Sequence, residues 1–407
     1  MRTFLVVFAI VCTSAALILL LLDRNDDSIE TTLSVSSALS VDTTGYARAR
    51  GPRPFIFPAD HGAHPDFRTE WWYYTGNVQT DDGHRFGYQF TIFRTALTPP
   101  RNGPAKPVSS ADVGIATRYP QHADSSESWS TNQLYMAHFA LTDVESGEHY
   151  AQERFSRGAA GLAGATADPY RVWIEDWKVE GLDGADSVRI QADVDEFGLD
   201  LIAARAKRIV LQGEDGYDRK GPQPGNASYY YSMTRMATNG TIRLDESPLS
   251  VRGWSWLDRE WGTSALSEEQ VGWDWFSLQL QNDVEIMYYQ LRERDGSMSP
   301  FSGGVVVGPE GGTTRFTLDD VKLEVLDTWV SPTGAARYPS QWRLELPAIQ
   351  LVLTVTPEVA NQELSLSIRY WEGAVRVDGT YAGAPVRGAG FVELTGYDED
   401  GGNHARR

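Results

Sequence analysis

The chain has 407 residues and a formal charge of −19, from 36 Lys and Arg against 55 Asp and Glu. That length exceeds what a single hydrophobic core usually serves, so we expect two folded domains. The negative charge gives no basic surface for phosphate backbones, which argues against a DNA or RNA partner. The single cysteine, Cys12, excludes an intramolecular disulfide. With 13 Trp, 18 Tyr and 15 Phe, the composition is typical of a globular, β-rich protein.

An uncharged, mostly apolar run covers residues 3–22 and as a helix would span about 30 Å, one hydrocarbon thickness. It ends in four leucines rather than in the small residues of a cleavage site, which favours a membrane anchor over a signal peptide for residues 1–22. With Arg2 retained on the cytoplasmic side, the rest of the chain lies outside the cytoplasm. We therefore predict a periplasmic or secreted protein anchored in the cytoplasmic membrane. Residues 23–53 are rich in Ser and Thr and are interpreted as a linker.

Alternation of apolar and polar residues is the main pattern from residue 54 onward. Residues 71–79 and 85–94 flank an Asp-Asp-Gly turn and predict a β-hairpin. Residues 276–281 and 284–292 predict a second hairpin around an Asn-Asp turn. Sustained helical periodicity is scarce, and Gly, Pro, Asn and Asp interrupt the chain at short intervals. We predict an all-β fold of two antiparallel β-barrel domains, at residues 54–245 and 246–400.

The densest chemistry lies in the first motif, residues 60–74, which read DHGAHPDFRTEWWYY. As a strand, this segment places Arg68, Glu70 and Trp72 on one face, with Trp71 and Tyr73 on the other. Arg68 and Glu70 then form either a structural ion pair or a polar patch that faces a cavity. In the second case, burial would raise the pKa of Glu70 and make it a proton donor.

His61 and His64 form an H-x-x-H pattern beside Asp60, a set of residue types that can bind metal. Helical zinc sites use i and i+4 spacing, however, and this Gly- and Pro-containing segment is a poor helix. We expect no metal and no cofactor here, and instead a hydrogen-bonded pair of Asp60 and His61. The candidate ligand-binding residues of the first motif are Asp60, His61, His64, Arg68, Trp71, Trp72 and Tyr73.

A second motif, residues 253–261, reads GWSWLDREW and places two carboxylates among tryptophans. A desolvated carboxylic acid can supply a proton, while aromatic rings stabilise a developing cation by about 0.5–2 kcal/mol each. This combination suits protonation of an alkene or binding of a polyene or terpenoid. The simpler alternative is that the tryptophans fill a wide barrel. The candidate ligand-binding residues here are Trp254, Trp256, Trp261, Trp273 and Trp275.

The two motifs have a similar sequence pattern, R-x-E-W in the first and R-E-W in the second. This similarity predicts that the chain consists of two related halves. The chain contains no G-x-S-x-G elbow, P-loop, dinucleotide fingerprint or H-E-x-x-H pattern. A serine triad therefore has no support from a local signature.

Four stretches between residues 57 and 397 carry a resemblance to a known family: FPADHGAHPDFRTEWWYYTGNV, GWSWLDREWG, YWEGAVRVDG and GFVELTGY. The chain resembles the AttH-like and carotenoid 1,2-hydratase (CrtC-type) family, in its predicted secreted hydrolase branch. The resemblance implies two lipocalin-like β-barrels of the calycin type. It also implies that an acidic residue of the middle motif, here within residues 258–261, protonates a double bond, although DREWG is the wording of the secreted branch. Members of that branch look like neighbours of membrane transport systems that move lipophilic compounds. The resemblance therefore implies an ABC-type transporter as a partner.

We therefore hypothesise an extracytoplasmic protein that binds a hydrophobic small molecule, such as a lipid, terpenoid or polyene, and acts on it by acid-catalysed hydration or hydrolysis. The catalytic candidates are Asp258, Glu260, Arg259 and Glu70. In this scheme Asp258 or Glu260 is the general acid, Arg259 holds the carboxylate, and the tryptophans stabilise the cation. The alternative is a non-catalytic carrier or accessory subunit of a membrane transport system, in which the same charges seal the interface between the barrels. A metal-dependent hydrolase is a third class.

Overall fold

The computed structural model describes residues 43–100, 131–245, 247–264, 266–334 and 336–397. The predicted anchor at residues 1–22, and the predicted linker up to residue 42, lie outside these residues. Within the described ranges, no helix is long and apolar enough to cross a membrane.

The described fold is all-β, as predicted, with three short 3-10 turns at Ala59–His61, Leu318–Asp320 and Pro347–Ile349. The first thirteen strands are β1 (Thr69–Gln79), β2 (Arg85–Ala96), β3 (Gln133–Asp143), β4 (Glu148–Arg157), β5 (Ala163–Ala167), β6 (Tyr170–Ile174), β7 (Trp177–Asp183), β8 (Ser187–Asp193), β9 (Phe197–Arg205), β10 (Val210–Leu211), β11 (Tyr217–Arg219), β12 (Ala227–Leu244) and β13 (Ser247–Gly262). The remaining strands are β14 (Gln270–Leu280), β15 (Glu285–Glu293), β16 (Gly303–Val307), β17 (Thr313–Thr317), β18 (Lys322–Val330), β19 (Arg337–Leu346), β20 (Leu351–Pro357), β21 (Glu363–Ser365), β22 (Arg369–Tyr381) and β23 (Ala384–Thr395).

Two curled antiparallel sheets, which we call the first and second barrel, contain these strands. The first follows the order β4-β3-β2-β1-β13-β12-β9-β8-β7-β6-β5, with β10 and β11 paired to β12. The second follows the order β17-β16-β15-β14-β23-β22-β20-β19-β18, with β21 paired to β22. Both predicted hairpins are confirmed, because β1 pairs with β2 and β14 pairs with β15.

Several strands bury both faces, and this sets the position of the candidate site. On β1, Trp72 and Tyr74 belong to the core inside the first barrel, whereas Tyr73 belongs to an apolar cluster between the barrels. On β15, Tyr288 packs inside the second barrel and Met287 faces the first. The near-continuous apolar sequence of such strands follows from burial on two sides.

The two barrels pack directly against each other, with β1 and β2 of the first beside β23 and β22 of the second. A Cβ atom added to Gly87 would lie only 2.4 Å from Cβ of Ala374, so β2 and β22 approach as closely as glycine permits. Gln279 Nε2 donates to the carbonyl of Thr234 at 2.8 Å, across the same interface. The interface therefore contains buried polar contacts as well as apolar packing.

The change from one sheet to the other occurs between Gly262 and Gln270, whereas the predicted domain boundary at residues 245 and 246 falls between β12 and β13, both of the first sheet. The two R-E-W-like motifs also lie together, on β1 and β13 of the first barrel, with Trp72 opposite Arg259. They do not occupy equivalent positions in two halves, so that interpretation of the repeated wording is wrong.

Candidate active site between the two barrels

Strand β13 sorts the second motif onto two faces of the first barrel. Trp256 and Asp258 face the second barrel, whereas Leu257 and Arg259 face the interior of the first. This follows from the period-two alternation of a strand. Arg259 therefore cannot hold the carboxylate of Asp258, and that part of the predicted catalytic scheme is wrong.

Arg259 instead completes a buried charge cluster inside the first barrel, which we call the arginine cluster: Asp60, His64, Glu70, Arg94 and Arg259. Both arginines form ion pairs with the Glu70 carboxylate, one on each oxygen. The backbone N–H of His64 donates to Glu70 at 2.9 Å, and the Arg259 guanidinium lies 4.0 Å from the ring centroid of Trp72. Asp60 lies 3.2 Å from His64 Nε2 and 2.7 Å from Arg53.

The arginine cluster keeps Glu70 ionised. Burial opposes the charge, but Arg94, Arg259 and His64 outweigh it and hold the pKa of Glu70 well below its usual range. The expectation that burial makes Glu70 a proton donor is therefore wrong, because its arginine neighbours dominate. Arg68, the predicted partner, is also buried, and its backbone N–H donates to Thr263 Oγ1 at 3.3 Å.

The histidines of the H-x-x-H pattern are engaged by protein groups. His61 Nδ1 lies 2.6 Å from the Tyr231 hydroxyl, and burial lowers the pKa of His61 to about 4. His64, rather than His61, is the hydrogen-bond partner of Asp60, and its ring stacks on Trp261 at 3.8 Å. Trp72 Nε1 donates to the carbonyl of His61 at 2.9 Å.

Among the described residues, the His and acidic groups close enough to share a metal ion are His84, Asp143 and Glu145, at a pair of surface turns. This set does not include the H-x-x-H histidines. His84 Nε2 already lies 2.6 Å from the Asp143 carboxylate as an ion pair.

On the other face of β13, Asp258 is the centre of what we call the interbarrel cluster: Asp258, Tyr73, Tyr230, Trp256, Trp273, Trp275, Glu372 and Glu393. Asp258 Oδ1 accepts hydrogen bonds from Ser232 Oγ at 2.5 Å and from Trp256 Nε1 at 2.6 Å. The Tyr230 hydroxyl donates to the other oxygen. Burial raises the pKa of Asp258 to about 7, against these three hydrogen bonds, so the carboxyl is substantially protonated at neutral pH.

Aromatic rings enclose this carboxyl. Trp256 and Trp275 meet at 6.3 Å between centroids, and Tyr73 meets Trp275 edge to face at 5.1 Å. Trp71 and Trp273 are half-buried at the margin of the cluster and mark its solvent side. Trp254, by contrast, is 40% exposed, and Trp261 lies with the arginine cluster, so neither is a wall around Asp258.

Two further carboxyls, which the sequence reasoning did not select, come from the second barrel. Glu372 on β22 lies opposite Glu393 on β23. The Tyr73 hydroxyl lies 2.5 Å from Glu372 Oε1, and Trp273 Nε1 donates to Glu393 Oε2 at 3.0 Å. Burial raises the pKa of Glu372 well above its usual range, aided by the charge of Glu393. Burial also raises the pKa of Glu393 to about 7.

Glu260, the other predicted acid of β13, lies in a separate charged group. Lys220 Nζ lies 3.3 Å from Glu260 and 2.6 Å from Asp218, and the Ser228 hydroxyl donates to Glu260 at 2.5 Å. Burial raises the pKa of Glu260, while the positive charge of Lys220 opposes that rise. The contacting ammonium of Lys220 stabilises the ionised form of Glu260 and so opposes its protonation. Glu260 is therefore a weaker candidate for the general acid than Asp258.

The fold and this site define a class of protein, the all-β proteins built from two lipocalin-like barrels. The AttH-like family model matches residues 48–397, and the chain belongs to this family.

Three comparisons illustrate the family. A solved structure of a putative AttH from Nitrosomonas europaea is 33% identical, with a TM-score of 0.72, and the alignment covers 86% of this chain and 100% of that one. Dehydratase asqC of Emericella nidulans is 21% identical over 223 residues, which is 52% of this chain and 62% of that protein. Kievitone hydratase of Fusarium solani subsp. phaseoli is also 21% identical, over 52% of this chain and 61% of that protein. The chain thus matches less than two thirds of either enzyme, and these relatives are a dehydratase and a hydratase.

Proposed function

We propose that this protein is an enzyme that adds water to, or removes it from, a hydrophobic small molecule bound at the interbarrel cluster. The observation that carries the proposal is Asp258, a buried carboxyl whose pKa lies near 7 and which is enclosed by the rings of Trp256 and Trp275. A general acid works best when its pKa lies near the working pH, because it is then both protonated and able to give up the proton.

The reaction balances with the groups present and one water molecule. In the direction of hydration, Asp258 transfers its proton to one carbon of a double bond, and the adjacent carbon becomes cationic. Water adds to that carbon and loses a proton, which restores a protonated carboxyl and leaves an alcohol. In the direction of dehydration, Asp258 protonates the hydroxyl group, water leaves, and a neighbouring C–H proton returns to a carboxylate.

The site contains what the cationic intermediate requires. Each indole face contributes about 0.5–2 kcal/mol of cation–π attraction in a desolvated setting. Glu393, half-buried at the margin with a pKa of about 7, is a second group that can exchange a proton with solvent at neutral pH. The names of the dehydratase and hydratase relatives support the same reaction class.

The test is turnover by an Asp258→Asn variant. The protein is purified from its own host, the co-purifying lipophilic material is extracted, and the extract is incubated with parent or variant protein. Mass spectrometry then detects gain or loss of one water. We expect the parent to convert a component of the extract and the variant to bind it without conversion. Asp200→Asn, which neutralises an exposed carboxyl of the same barrel, is the matched control. Equal turnover by D258N and the parent would remove the proposal.

A second candidate, the non-catalytic carrier, has one observation in its favour. Glu285 of the second barrel is fully buried between Lys207, at 2.8 Å, and Arg235, at 2.5 Å, both from the first barrel. Charges therefore do seal the interface, but they are these three residues and not the charges of residues 258–260 that the carrier hypothesis named. Under that hypothesis the lipophilic extract is bound and released unchanged by every variant.

Location and partners belong to the proposal as well. The apolar run at residues 3–22 supports an extracytoplasmic protein tethered to the cytoplasmic membrane. The proposal also includes a transporter of lipophilic compounds as a neighbour, as the family resemblance implies. Fractionation of the host cells tests this: the full-length protein should remain with the membrane after a high-salt wash. Recovery in the soluble cytoplasm would contradict it.

A further inference from the structure

The Tyr73–Glu372 pair is a buried polar feature that the action of Asp258 does not explain. Glu372 is fully buried, and Tyr73 is buried beside it in the apolar cluster between the barrels. Among the described residues, Glu372 Oε2 has no hydrogen-bond partner, although Oε1 is held by Tyr73. A buried polar atom without a hydrogen-bond partner lowers the stability of the folded protein, so the presence of Glu372 Oε2 at this position requires a physical explanation.

Glu372 lies directly opposite another carboxyl, Glu393, across β22 and β23. Like charges at facing positions of neighbouring strands destabilise a sheet, and an uncompensated buried charge is more costly still. No arginine or lysine forms an ion pair with Glu372 among the described residues. The pair is therefore stable only with Glu372 in its neutral, protonated form.

A neutral carboxyl beside a tyrosine has a hydrogen that the pair cannot use. The Tyr73 hydroxyl and the Glu372 carboxyl each carry one acidic hydrogen, but a single contact of 2.5 Å joins them. Whichever group donates in that contact, the hydrogen of the other remains unused. A protonated carboxyl next to a tyrosine, in apolar surroundings, is an arrangement that can bind a substrate oxygen by hydrogen bonding.

We propose that Tyr73 and Glu372 form a hydrogen-bond donor that binds an oxygen atom of the substrate, and that the substrate is consequently a neutral, oxygen-bearing apolar molecule rather than a pure hydrocarbon. This rests on the proposed function in so far as both use the interbarrel cluster. Tyr73 meets the same Trp275 ring that packs against Trp256 beside Asp258, so an oxygen bound by the pair places the adjoining carbons near the acid. A hydrocarbon would leave the donor unsatisfied.

The test compares two probes of the same ring shape, 2-naphthol and naphthalene, with binding followed by quenching of tryptophan fluorescence. We expect the parent to bind 2-naphthol about threefold to tenfold more tightly than naphthalene, the value of one net hydrogen bond. The double variant Tyr73→Phe with Glu372→Met removes both hydrogens and should bind the two probes equally. Removing both partners of a buried polar pair is close to neutral for stability, so this variant should fold.

Two controls separate this inference from the proposed function. Tyr88→Phe removes a buried hydroxyl that contacts Ser255 in the first barrel, and it should keep the preference for 2-naphthol. Asp258→Asn should also keep the preference, whether or not it turns substrate over. A parent that binds the two probes equally, or neither, overturns the inference, and so does a double variant that retains the preference.

Discussion

Neutralising Glu70 should destabilise the first barrel strongly, because among the described residues its carboxylate is the acidic group that forms ion pairs with both buried arginines, Arg94 and Arg259. All three side chains are at most 1% exposed. Glu70→Gln leaves two guanidinium groups in a place that water does not reach. Breaking a buried ion pair by removing one partner costs about 3–5 kcal/mol. For a domain of this size that lowers the melting temperature by about 6–20 °C.

The assay is thermal and urea unfolding of Glu70→Gln, followed by near-ultraviolet circular dichroism. The control is Asp200→Asn, which breaks an ion pair with Arg189 that is exposed and should cost less than about 1 kcal/mol. The pH dependence supplies a second check. The folded pKa of Glu70 is lowered, so its stabilisation is complete above the unfolded value and is lost as the pH falls. The parent and E70Q should therefore converge in acid. A variant that melts with the control at pH 7 would refute the structural role of the arginine cluster.

Three further predictions concern the interface. Burial raises the folded pKa of Asp258 to about 7, so the free energy of unfolding of the parent should fall by a few kcal/mol as the pH rises from about 4 to about 7. Urea titrations of Asp258→Asn should show a weaker fall, and the same dependence of stability on pH in both proteins would contradict this. Gly87→Val should lower the melting temperature, because any side chain at Gly87 collides with Ala374, and a melt like that of the parent would contradict the close packing. Glu285→Gln removes the buried carboxylate that Arg235 and Lys207 share, while Arg235 keeps an ion pair with the exposed Asp283 at 3.2 Å. The change should cost about 3–5 kcal/mol in urea unfolding, whereas a loss below 1 kcal/mol would argue against a sealing role for these charges.

Strand type and local pairing follow from the sequence, and so does part of the arginine cluster. The predicted hairpin of β1 and β2 places Arg94 opposite Glu70, so its register alone identifies the first partner of the arginine cluster. The same alternation that separated Trp71 from Trp72 on β1 also separates Asp258 from Arg259 on β13. Because neighbouring residues of a strand point to opposite faces, Arg259 cannot act on the same side of β13 as Asp258.

The composition of the interbarrel cluster could not be read in the same way. Glu372 and Glu393 lie within motifs that carry the family resemblance, but their meeting with Tyr73 depends on how the second barrel packs on the first. Contacts between sheets follow from tertiary packing rather than from periodicity, and no local pattern specifies them. The pairing of β1 with β13 is likewise a long-range contact. The similar R-x-E-W and R-E-W patterns lie on these two paired strands, whereas the sequence suggested that they belong to two related domains.

The pH dependence of proton transfer tests the role of Asp258 most directly. It is measured as solvent deuterium incorporated into the substrate from the lipophilic extract. We predict that the parent incorporates deuterium at low and neutral pH, that the rate falls by half near pH 7 as Asp258 ionises, and that Asp258→Asn incorporates none while still binding the substrate. Incorporation by the variant at the rate of the parent would contradict the assignment of Asp258 as the proton donor.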